Sequence, residues 1–114
     1  MIELSKRQKG IARELIQLAL QRECKSFVEE LSKWMNSSKS EYETPHKLYL
    51  QLYRKIESFD GHIAKRYNDL TGSHYYVAVL SLLHDGILKP EDIASFGQDV
   101  QNQLLGHVEF FRNQ

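Results

Sequence analysis

The sequence has little of what usually punctuates or staples a chain. Among 114 residues there is one cysteine, one tryptophan, two prolines and six glycines. A lone Cys24 cannot close an internal disulfide, so nothing here requires an oxidising compartment. So few breakers, with hardly any alternation of apolar and polar residues, argue against a sheet protein and for long helices. Net charge is absent too: fifteen basic residues cancel fifteen acidic ones. This excludes a general polyanion coat and a general acidic mimic, since neither long-range field exists. The longest nearly apolar stretch, Tyr75 to Leu83, is far short of the ~20 residues needed to span a bilayer. The first ten residues are polar and carry Lys6, Arg7 and Lys9, without the apolar region of a secretory signal. The expected location is cytoplasmic, with no membrane partner.

What is present reads as an all-α protein. The expected fold is one antiparallel bundle of four or five helices over residues 1–114, with a long or kinked first helix. That helix is expected from about Leu4 to Met35. Ile11, Leu15 and Leu18 form one apolar stripe. Leu20, Cys24, Phe27, Leu31 and Trp34 form another on nearly the opposite side. Either the helix breaks near residues 21–23, or one continuous helix buries different faces at its two ends. Residues 36–44 read as a polar linker. Thr44 and Pro45 supply an N-cap and an N1 proline. The second helix, to about Leu70, has the cleanest stripe: Leu48, Leu52, Ile56, Phe59, Ile63, Tyr67 and Leu70. Gly61 within it suggests a close crossing or a kink. Ser73 is expected to cap a third helix running to His84, apolar nearly all round, and Gly86 to end it in the left-handed region. Pro90 opens a fourth helix with Ile93, Phe96, Val100, Leu104, Val108 and Phe111 as its stripe, which Gly97 and Gly106 could divide. The expected core is Leu15, Leu18, Phe27, Leu31, Leu52, Phe59, Ile63, Val79, Leu80, Leu83, Ile93, Phe96, Val100 and Leu104.

Residues that could carry chemistry are scattered. His46, His62, His74, His84 and His107 fall one per segment, with no pair at ligand spacing, so no metal is expected. Cys24 lies among Arg22, Glu23 and Lys25, but no histidine can be assigned to it, and a small buried apolar role fits better. Glu91, Asp92 and Asp99 read as solvated acids. Phosphate loops and nucleophile elbows do not occur. No catalytic residue and no cofactor are assigned, and an enzyme with an ungrouped His and acid site is a distant alternative.

Charge is unevenly placed. Residues 1–66 carry thirteen basic and nine acidic residues, and residues 67–114 two and six, so the halves balance at +4 and −4. A nucleic-acid-associated regulator using Lys6, Arg7, Lys9, Arg13, Lys65 and Arg66 is the main alternative reading. The segment Tyr76 to Phe96 has a helix-turn-helix outline, yet its second part carries Glu91 and Asp92 where groove-reading needs donors. The favoured expectation is a small non-catalytic, regulatory protein-interaction module that self-associates, with itself as partner in a homodimer. Its contact surface is expected at Leu20, Cys24, Trp34, Met35, Tyr42, Tyr49 and Tyr53, because Trp, Tyr and Met dominate interface cores. Trp34 could equally join helices one and two within one chain.

Overall fold

In a computed structural model, residues 3–38 and 44–114 are described, with the side chain of Ser38 excepted. The described residues form four α-helices and no strand. They are α1 (Lys6–Ser38), α2 (Pro45–Tyr67), α3 (Tyr75–His84) and α4 (Gln98–Arg112). Two short 3₁₀ turns, Gly72–His74 and Pro90–Ile93, precede α3 and α4. Contacts cluster into two compact units. The first comprises residues 1–22 and 69–114, the second residues 23–68, and α1 contributes to both.

Of the two expectations for the first helix, the continuous one holds. No proline interrupts α1, and it runs three residues past Met35 into the expected linker. Its buried residues in the first unit are Ala12, Leu15, Ile16 and Ala19. The expected face was different: Leu18 is 39% exposed and Ile11 only half-buried. Two alanines, each with no exposed surface, explain the shift. A methyl side chain lets neighbouring elements approach closely, and apolar bulk alone does not reveal it.

The first unit holds the core. To the α1 residues are added Leu4, then Tyr76, Val79, Leu82 and Leu83 from α3, and Val100, Leu104 and Val108 from α4. Leu88, Ile93 and Phe96 of the α3–α4 connection are buried as well. That connection is compact and is not the start of the fourth helix. Pro90 opens a 3₁₀ turn that ends at Ile93, and α4 begins only after Gly97. The helix-turn-helix outline therefore has no α-helix in its second position. Gly106 lies inside an unbroken α4.

Turn chemistry follows the sequence in part. Thr44 caps α2, its hydroxyl accepting from Lys47 N–H at 3.2 Å, with Pro45 at the first position. Gly86 has φ +78°, as a left-handed helix stop requires. Helix α2 ends at Tyr67, before Leu70. Ser73 lies inside a 3₁₀ turn flanked by Thr71, whose hydroxyl is 2.9 Å from His74 Nδ1, and α3 starts at Tyr75. No atom lies within 4 Å of where a Cβ would stand on Gly61, so no close crossing explains that glycine.

Two polar contacts pin the first unit. Arg22 Nη1 donates to Asp92 Oδ2 at 2.7 Å and Nη2 to Oδ1 at 3.0 Å, while Nη1 also reaches the Ile87 carbonyl at 2.9 Å. Asp92 Oδ2 accepts the Lys89 N–H at 2.7 Å as well. Asp92 is therefore a paired, mostly covered acid rather than a solvated one. The second contact joins Tyr76 and His107, hydroxyl to Nδ1 at 2.6 Å with the rings edge-on. The partner of His107 is thus a tyrosine hydroxyl.

Candidate functional site

The second unit is a hairpin of the C-terminal part of α1 and α2. Helical phase places Phe27 and Leu31 on α1 and Leu52, Phe59 and Ile63 on α2 at inward positions. Phe27 and Phe59 lie face to face, centroids 4.0 Å apart and planes 3° apart. Among the described residues of this unit, none is fully buried. A helix is stabilised mainly by the apolar face it buries, so this hairpin keeps unused apolar surface.

That surface has two sides. On one, Phe27, Leu31 and Trp34 of α1 and Lys55, Phe59 and His62 of α2 line an open groove of about 460 Å³. Glu30, Arg54 and Ser58 complete its walls. Lys55 Nζ stands 4.8 Å from the Trp34 ring centroid, a cation–π contact across the two helices. On the other side, helical phase places Cys24, Val28 and Met35 on α1 beside Tyr49, Tyr53 and Ile56 on α2. Val28, Tyr49, Tyr53 and Ile56 are between 46% and 61% exposed.

The expected contact residues thus divide. Cys24, Met35, Tyr49 and Tyr53 share the second side. Trp34 lines the groove, Leu20 belongs to the first unit, and Tyr42 lies outside the described residues. The basic set divides as well: Lys6, Arg7, Lys9 and Arg13 belong to the first unit, Lys65 and Arg66 to the second. Arg13 stacks over Tyr75 at 5.8 Å, and Arg7 lies 3.5 Å from the Ser95 carbonyl.

At the base of the hairpin, Glu23 is nearly buried and accepts from Arg66 Nη1 at 2.6 Å, with His62 Nε2 at 3.0 Å. The i, i+4 spacing of His62 and Arg66 was the only sequence signal for a shared anion. Burial pushes the neighbouring Tyr67 hydroxyl up to about 12, and the Glu23 charge adds to this. A hydrogen bond to Glu57 holds the exposed Tyr53 hydroxyl above its ordinary value. No group of three or more His, Cys, Asp or Glu among the described residues could hold a metal ion. None of the described helices is long and apolar enough to cross a membrane.

No protein-family model, curated protein or solved structure matches this chain.

Proposed function

We propose that the protein is a non-catalytic, regulatory interaction module that self-associates through the hairpin. One observation carries this: a helical hairpin with no fully buried side chain among its described residues exposes Val28, Tyr49, Tyr53 and Ile56 on one side. Contiguous apolar surface of this kind marks contact sites. A second copy suits it because its borders are self-complementary in charge. Lys25, 4.0 Å from Glu29 of its own helix, borders the α1 edge, and by helical phase Glu57 and Asp60 border the α2 edge. A two-fold axis parallel to the helices sets α1 of one copy antiparallel to α2 of the other. Since Phe27 and Phe59 share a level, Lys25 then meets the Asp60 of the second copy. A cytoplasmic setting accords with the single unpaired cysteine.

Sedimentation velocity of the full chain at micromolar concentration tests this reading. The expected result is twice the 13.4 kDa chain mass, with Ile56→Asp returning to the single mass while keeping its helical circular dichroism. Wild-type protein that sediments as a single chain throughout would overturn it.

A further inference from the structure

We propose that the groove lined by Phe27, Trp34 and Phe59 docks an acidic amphipathic helix of a partner protein. The inference concerns the side of the hairpin away from Val28 and Ile56, and does not depend on self-association. Three properties of the groove lead to it. Its floor is aromatic, made by the parallel Phe27 and Phe59 rings and by Trp34. Its volume, about 460 Å³, is in the range of ligand sites, roughly 300–1,000 Å³, but such sites cover most of a small ligand. This groove is open along the hairpin and covers one side only. Side chains at i, i+3 and i+4 of a helix laid between α1 and α2 fill such a shape, completing a three-helix contact.

Charge sets the sign of the partner. Arg54 and Lys55 stand on the α2 wall, and neither has a carboxylate within ion-pair distance among the described residues. Glu30 is the one carboxylate in the lining. Glu23, the acid bonded to the lining residue His62, is already held by Arg66. Arg54, and Lys55 over the Trp34 ring, therefore bring two cations to the lining against one acid. Glu or Asp beside the apolar anchors of a docking helix complements this, and Lys or Arg there is repelled.

The test uses Trp34, the only tryptophan of the chain, as a reporter inside the groove. The full-length protein is titrated with a tryptophan-free, end-blocked helical peptide that carries Leu and Phe on one face and Glu elsewhere. A counterpart with every Glu replaced by Lys, and octanoate as a small apolar anion, are titrated in parallel. The Glu peptide is expected to change Trp34 emission saturably, with a Kd weakened roughly tenfold or more by Arg54→Glu and by added salt. The Lys peptide is expected to leave the emission unchanged. The proposal is overturned by no saturable response to the Glu peptide, by equal responses to both peptides, or by an unchanged Kd in Arg54→Glu. A saturable response to octanoate with none to the Glu peptide likewise overturns it and reassigns the groove to small anions. Ile56→Asp, altered on the other side, is expected to bind the Glu peptide with the wild-type Kd, which keeps this result separate from the oligomeric state.

Discussion

Arg22 and Asp92 meet in a two-point pair, with guanidinium nitrogens 2.7 and 3.0 Å from the two carboxylate oxygens. The pair is 70 residues apart in sequence and fastens α1 to the 3₁₀ turn before α4. Fork-to-fork geometry and a mostly covered carboxylate set it apart from exposed pairs, which contribute little. Arg22 holds the Asp92 carboxyl below its ordinary value, and the Lys89 N–H helps. A lowered folded-state value means stability that is present above the unfolded value of 3.8 and lost as pH falls through the folded one. Asp92→Asn is therefore expected to lower unfolding stability by about 1–3 kcal/mol at neutral pH. The difference from wild type should shrink in urea titrations repeated below pH 3.8. A difference that stays constant with pH would contradict the assignment.

The correction to the α1 face has its own consequence. Leu104 has no exposed surface, whereas Leu18 is 39% exposed. Leu104→Ala should cost about 2–5 kcal/mol, the range for emptying a packed site. Leu18→Ala, on the face first expected to be core, should cost well under half of that. Equal losses in chemical denaturation would restore Leu18 to the core.

How much was legible in the sequence depended on how local the cause was. The helical class, the Thr44–Pro45 start and the Gly86 stop follow from residues adjacent in the chain, and each is present. The face of α1 in the first unit was not legible, because Ala12 and Ala19 carry too little apolar bulk to register in a pattern. The start of α4 was misread because Pro90, Glu91 and Asp92 suit the first turn of either kind of helix. Only the Arg22 contact, from 70 positions away, gives Asp92 its second role. At the candidate site, the tyrosines and Trp34 stood out by type. Their division between two sides of the hairpin needed the phase of α1 against α2, which neither helix alone supplies.

Gly61 is a site where the fold gains nothing from glycine. It lies inside α2, its φ is not in the left-handed region, and open space surrounds the position of a Cβ. Gly61→Ala should stabilise the protein by about 0.5–1 kcal/mol, through helix propensity and a less flexible unfolded chain. A thermal melt that moves downward would contradict this.

Tyr67 gives an alkaline signature for the hairpin. Burial raises its hydroxyl to about 12 while the reference value is 10.0. Between those two values the unfolded chain gives up the proton and the folded chain keeps it. Folding stability from this group is therefore complete below pH 10.0 and declines as pH rises toward 12. Phenolate absorbance followed against pH should show a late component that Tyr67→Phe removes. The same variant should lose less stability than wild type on passing from neutral pH to the alkaline range. If Tyr67→Phe leaves the late component in place, the high-titrating hydroxyl belongs to another tyrosine, and Tyr76, also raised by burial, is the one to change next.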